Sequence, residues 1–229
     1  MSAEKVTIEV DRAQSVSGLL LVPEQPFACY VLAHGAGAGM THPFMNRIAD
    51  GLRQRGIATL RFQFPFMENG SKRPDRPALA HTAVRAAVAA VVHLTPALPI
   101  FAGGKSFGGR MTSQAQGAAP LPNVRGLGFI GFPLHPAGRP SDDRASHLSD
   151  VHIPMLFLQG TRDALADQRI LTTVLDRLPA TTTLHLIEHA DHSFHVPARS
   201  GTTDGQVLEE LLDALAAWFG SLCAGGSLG

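Results

Sequence analysis

Cysteine is scarce. The chain holds two, Cys29 and Cys223, far apart and outside any metal-ligand spacing. A reducing, cytoplasmic compartment is the expectation, and no metal or other cofactor is called for. Net charge is missing too: 19 Lys+Arg against 19 Asp+Glu cancel. No chain-wide basic field exists to attract nucleic acid or an anionic membrane. Residues 1–12 are charged and alternating, with no apolar signal core, and no uninterrupted run of 18 apolar residues occurs. Internal repeats and long low-complexity tracts are absent as well. Charged residues make up only 17% against 45% hydrophobic, which excludes disorder as the main state. With 229 residues and 24.3 kDa, one domain over 1–229 is expected, burying roughly 70% of its unfolded surface. The glycine-rich tail 224–229 should fray.

Apolar runs alternate with amphipathic helical patterns. Val6, Ile8 and Val10 alternate with polar residues, as a half-exposed strand does, and 18–22 reads as its neighbour. Residues 29–33 are continuously apolar, the pattern of a strand buried on both faces. Further strands are expected at 57–62, 100–102, 127–132, 155–158 and 183–187. A helix should start with Thr41 as cap and Pro43 in its first turn, carry Phe44, Ile48 and Leu52 on one face, and stop at Gly56. Others fit 77–94, 106–116, 168–178 and 205–219. This order predicts an α/β fold with a mostly parallel sheet, about eight strands, and helices on both faces. The irregular stretch 63–76 carries Lys72, Arg73 and Arg76, and reads as a solvated connection or a substrate-side loop.

The sharpest signal is Gly104-Lys-Ser106-Phe-Gly108, a G-x-S-x-G elbow between a buried strand and a helix. A strand that turns abruptly into a helix presents one hydroxyl at the tip. The serine is strained there, so its neighbours must be small, and Gly104 and Gly108 supply the room. The helix that follows aims its amide end at the site. The bland alternative is a glycine-rich turn with an incidental serine. A serine hydroxyl is a weak nucleophile until a base takes its proton, and the base must be oriented by an acid. In this architecture the order along the chain is Ser, acid, His. Asp163 follows the 155–158 strand and His192 follows the 183–187 strand, so both lie just past strand carboxyl ends. Asp167 competes with Asp163, but lies deeper and reads as a helix cap. Asp191 reads as a loop-shaping residue beside His192. His189, His192 and His195 offer a rival metal reading, but the first ligand position of the metallo-hydrolase pattern they partly match is Ile187. His81, His93, His147 and His185 read as ordinary surface or helix residues.

Acyl transfer also needs an oxyanion hole. One donor is the amide of Phe107; the other belongs to the loop His34-Gly-Ala-Gly-Ala-Gly39, where Ala36 is the choice. A phosphate-binding loop is the alternative for these glycines, but Met40 stands where the third glycine of the dinucleotide spacing would fall. Only about 20 residues separate the strand at 127–132 from the next, too few for a helical lid. An open, shallow site follows, with Phe66, Met67, Phe107, Leu134 and His135 as candidate substrate-lining residues, ordinary core or loop packing being the alternative for each.

These residues carry a resemblance. The segments His34-Gly-Ala-Gly-Ala-Gly39, His42-Pro-Phe-Met45, Arg61-Phe-Gln-Phe-Pro-Phe-Met-Glu68, Gly103-Gly-Lys-Ser-Phe-Gly-Gly-Arg-Met111, Gly131-Phe-Pro-Leu-His-Pro136, Gly160-Thr-Arg-Asp163 and Ala190-Asp-His-Ser-Phe194 span nearly the whole chain. With them the chain resembles small, lidless, dienelactone-hydrolase-like α/β-hydrolases. More narrowly, it is similar to the family that includes the hydrolase-like domain of a nonspecific-lethal chromatin complex subunit. The resemblance implies the α/β-hydrolase fold and a triad of Ser106, Asp163 and His192. The expected function is a serine hydrolase cleaving a small carboxylic ester or thioester, as a monomer or homodimer without nucleic-acid or membrane partners. The alternative is a protein-interaction module that keeps the fold without turnover.

Overall fold

A computed structural model describes residues 3–179 and 181–225. Eight strands form one sheet: β1 (Glu4–Glu9), β2 (Ser15–Leu21), β3 (Ala28–Ala33), β4 (Ile57–Phe62), β5 (Ile100–Lys105), β6 (Val124–Ile130), β7 (Met155–Gly160) and β8 (Thr182–Ile187). Their order is β1-β2-β4-β3-β5-β6-β7-β8. The β1–β2 and β2–β4 pairs are antiparallel, and every later pair is parallel. The helices are α1 (Pro43–Gln54), the short α2 (Pro65–Glu68), α3 (Pro77–Leu94), α4 (Phe107–Ala118), α5 (Gln168–Leu175) and α6 (Asp204–Ala224).

The two-residue period of β3 sorts its side chains into two cores. Cys29, Val31 and Ala33 join the layer that includes Val84 of α3 and Met111 of α4. Tyr30 and Leu32 join the layer under Ile48 of α1 and Leu215 and Phe219 of α6. The buried Tyr30 hydroxyl donates to Gly128 O at 2.7 Å, so its polar end is satisfied inside the sheet. α3 is long and apolar enough, by length and composition, to cross a membrane. In this fold its Ala80, Ala83, Val84, Ala87, Val88 and Val91 are buried in the core.

Several expected boundaries move. β2 begins at Ser15, three residues before the apolar run, because its pairing with β1 extends down to Glu9↔Ser15. β5 runs on to Lys105, since Gly103, Gly104 and Lys105 are paired with β6 and the glycines with β3 as well. β6 ends at Ile130, not at Phe132, because Gly131 turns to φ +68°. α1 is capped by His42, whose Nδ1 accepts from Phe44 N at 3.3 Å, rather than by Thr41. α5 is three residues shorter than expected, and α6 continues through Ala224. Ala224, the first residue of the expected tail, is the last of α6, and positions 226–229 lie outside the described residues. Between β6 and β7 there is loop and a 3-10 segment, Asp143–Asp150, with no cap domain.

Candidate active site

β5 delivers Ser106 to the carboxyl edge of the sheet, and α4 starts at the next residue. Ser106 sits at φ 51°, ψ −116°, a conformation that costs a non-glycine residue of order 1–3 kcal/mol. Tertiary contacts hold it there. Ser106 N donates to Ile130 O at 3.1 Å, and the room at the flanking glycines is filled by β3. A Cβ on Gly108 would stand 2.6 Å from the Ala33 carbonyl, and one on Gly104 would overlap that same oxygen. The elbow thus fits only where β3 and α4 touch backbone to backbone.

The structure brings Ser106, His192 and Asp163 together. His192 Nε2 lies 2.9 Å from Ser106 Oγ, and His192 Nδ1 lies 2.7 Å from Asp163 Oδ2. With Nδ1–H directed at the carboxylate, Nε2 is free to accept the serine proton. The Asp163 side chain has no exposed surface. Its Oδ1 accepts from Leu165 N at 2.8 Å, and its Oδ2 also accepts from Gln159 Nε2 at 2.5 Å. Gln159 in turn accepts from Phe132 N at 2.9 Å, which ties β7 to the end of β6. The competing aspartates behave as read from the sequence. Asp167 caps α5 by accepting from Arg169 N and Ile170 N. Asp191 shapes the histidine loop by accepting from Ser193 N and His195 N. His195 turns away to Asp204 at 2.9 Å, and among the described residues no three His, Cys, Asp or Glu side chains gather as metal ligands.

Ala36 and Phe107 both border space that opens on Ser106. Phe107 is the first residue of α4, where an amide has no partner within its own helix. The Ala36 loop is braced by His34, which is fully buried. His34 Nε2 accepts from Phe64 N at 2.9 Å, and its Nδ1–H donates to Gly35 O at 2.8 Å. Burial pushes the His34 pKa down, consistent with this neutral tautomer.

This constellation sits on a fold shared with known proteins. Residues 26–220 match the family model described as an alpha/beta hydrolase domain. The chain belongs to that family. Among solved structures, the α/β-hydrolase resembles a dienelactone hydrolase from Anabaena variabilis (TM-score 0.76, 22% identity, 96% of this chain and 99% of that one). It also resembles a lidless α/β serine hydrolase from Xanthomonas campestris (TM-score 0.72, 22% identity, 95% of each chain). At these identities the likeness is one of fold, and with the family it supports a hydrolase. A curated relative from Mycobacterium tuberculosis, provisionally named a phosphoribosyl transferase, is 31% identical over 223 residues. The match takes in 93% of this chain, and the chain spans about half, 46%, of that relative's length.

Two expectations about this α/β-hydrolase need correction. None of Phe66, Met67, Leu134 and His135 borders either cavity at Ser106. Phe66 and Leu134 are core residues, and Phe66 packs edge-on to Phe107, 6.0 Å between ring centroids. Met67 packs against the same core. His135 is buried as a brace: its Nε2 accepts from Asp167 N, and its Nδ1–H donates to Pro136 O. Nor is His147 an ordinary surface residue. It lies 2.7 Å from Ser113 Oγ, and burial together with Arg110 pushes its pKa down to about 4.

One functional candidate escaped the sequence reading: Lys105, the variable residue of the elbow. Its Nζ donates to the His192 carbonyl at 2.6 Å and lies 5.2 Å from the Phe194 ring centroid. A Cβ on Gly131 would come within 2.9 Å of Nζ and 3.5 Å of the His192 ring, so the glycine makes room for both. Lys105 thereby fastens the histidine loop to the residue that precedes the serine. A cation in that position has no periodicity or spacing to announce it.

Proposed function

We propose that this chain is a serine hydrolase acting on a carboxylic ester or thioester. The reading is carried by the hydrogen-bonded series Asp163–His192–Ser106, with contacts of 2.7 and 2.9 Å. Ser106 Oγ attacks the carbonyl carbon while His192 Nε2 takes its proton. Asp163 holds the imidazole in the Nδ1–H tautomer and stabilises the cation that forms. The amides of Phe107 and Ala36 receive the developing oxyanion, and the N-terminus of α4 favours that charge. The imidazolium then gives its proton to the leaving alkoxide or thiolate. Water, activated by the same Nε2, splits the acyl-enzyme and restores the serine. No cofactor enters. Two free cysteines support a reducing, cytoplasmic setting for this reaction.

The provisional transferase name belongs to relatives about twice as long, and the reading for this chain rests on its own site. A fluorophosphonate probe should label the wild type and spare Ser106→Ala. The same substitution should lower the hydrolysis of activated esters by several orders of magnitude. The rival reading, an interaction module without turnover, predicts no labelling of either protein. Equal labelling of both proteins would reject Ser106 as the nucleophile.

A further inference from the structure

Two cavities meet at Ser106, and they differ in the charged groups that line them. One, about 370 Å³, is bordered by His42, Phe44, Met45 and the glycine loop; its lysine, Lys105, is bonded to the His192 carbonyl. The other, about 350 Å³, touches Ser106, Ala36 and Phe107 and is walled by Arg110 and Arg144. Arg110 lies four residues past Ser106, on the same side of the chain's turn into α4. Its guanidinium carbon stands 5.9 Å from the Phe107 ring centroid, and its buried Nε has no hydrogen-bond partner among the described residues. No ion pair involves Arg110 or Arg144 among those residues. Arg55, by contrast, is clamped between Glu209 and Asp213 at 2.7 and 2.6 Å. Asp75 shares the cavity wall, but its Oδ2 accepts from Phe66 N and it pairs with neither arginine. Burial and the nearby Arg144 push the Arg110 pKa down, and Arg110 in turn helps lower those of His81 and His147. With one carboxylate in the wall against two guanidinium groups, and neither of those in an ion pair, an anionic ligand would supply the missing partner.

We infer that this cavity binds an anionic arm of the substrate, a carboxylate or a phosphate, through Arg110 and Arg144 while the ester carbonyl lies over Ser106. The inference rests on the hydrolase reading above. Planar guanidinium groups suit such oxyanions, which accept paired N–H bonds.

The test compares mono-4-nitrophenyl adipate, a phosphate-tipped ester of equal length, and neutral 4-nitrophenyl hexanoate. The wild type should favour a charged ester in kcat/KM by about tenfold or more, the scale of one hydrogen bond to a charged group. Added salt should shrink the preference, and Arg110→Gln and Arg144→Gln should each lower the charged-to-neutral ratio. The better of the two charged esters identifies the anion. Binding is measured separately on Ser106→Ala by titrating monomethyl adipate against methyl hexanoate, so that it needs no chemistry. Tighter binding of the charged ligand, lost in Ser106→Ala/Arg144→Gln, supports the inference even if no ester is cleaved; that outcome overturns only the hydrolase reading. Cleavage of the hexanoate with no charge preference, or a preference that survives both arginine substitutions, overturns the inference alone. If Arg110→Gln does not fold, Arg144→Gln on the 3-10 segment carries the test.

Discussion

Lys105→Met separates stability from activity, because the charged lysine serves the site at the expense of the fold. The substitution keeps the length and the packing under Phe194 and removes the hydrogen bond to the His192 carbonyl. Burial pushes the lysine pKa from 10.5 down to about 8, with Asp163 and Asp191 opposing it. That displacement corresponds to a penalty of order 3 kcal/mol for holding the charge. Against it stands the bond to His192, of order 1.5–3 kcal/mol for a charged donor. The two nearly cancel, so the melting temperature at pH 7 should change little or rise. The rate should not be spared. Without Lys105 the His192 backbone loses a tether, leaving Asp163 and the Asp191-shaped loop to position the imidazole, and a displacement of about 1 Å in a reacting group can cost 10²-fold. We expect kcat to fall by about 10- to 100-fold with KM little changed, and fluorophosphonate labelling of Ser106 to slow in parallel. The pH dependence carries a second signature. Below pH 8 both folded and unfolded states hold the proton and the penalty is fully felt. Between pH 8 and 10.5 only the unfolded state keeps it, so wild-type stability gains from this group as pH rises, and Lys105→Met should lack that gain. Urea denaturation at pH 7 and pH 10, alongside steady-state ester hydrolysis, reads both effects. A variant with kcat within twofold of the wild type refutes the positioning role; one that loses several kcal/mol of stability refutes the balance.

His147 and Gly131 yield two further expectations. Because the folded-state pKa of His147 is lowered from 6.5 to about 4, its contribution is intact above pH 6.5 and is lost as pH falls toward 4. Allowing for its partial exposure, the loss should be of order 2 kcal/mol. The denaturant midpoint should fall less between pH 7 and pH 4.5 in His147→Gln than in the wild type, and equal falls would exclude His147 as the source. Gly131→Ala places a Cβ against Lys105 Nζ and the His192 ring at φ +68°, so it should cost roughly 1 kcal/mol or more in stability. It should also lower kcat/KM; an unchanged rate would show that the histidine loop tolerates displacement.

Elements with local punctuation were legible in the sequence. β4 and α3 fall on the expected residues because Gly56 and the prolines at 77 and 96 mark their ends. β5 was too short because Gly103-Gly-Lys105 has no intrinsic strand preference; its extension is imposed by β3 and β6 on either side. The reverse holds at Phe132, where an apolar side chain continued the pattern but the pairing of β6 with β7 stops at Ile130↔Leu158. Ser106, Asp163 and His192 could be picked out because each follows a strand, and a parallel sheet gathers such ends at one edge. Phe66 and Leu134 could not be placed, since an apolar residue after a strand looks the same in sequence whether it faces a cavity or a core.

The strained serine shows why local and long-range information had to be combined. An isolated Gly104-Lys-Ser-Phe-Gly108 segment has no reason to hold Ser106 at φ 51°, because the glycines widen the choice of conformations rather than narrow it. What narrows it is β3, whose Ala33 backbone leaves no room for side chains at Gly104 and Gly108, and Ile130 O, which takes the Ser106 N–H. The same crossing point then fixes the partners. β6 ends in Gly131, which admits Lys105 beneath the histidine loop, and Phe132 N engages Gln159, which steadies Asp163. The serine, its base and its acid are therefore linked through the backbone ends of β3, β5, β6 and β7, and not only through their own hydrogen bonds. A substitution at any of these linking positions is expected to act on geometry at Ser106 before it acts on the fold as a whole.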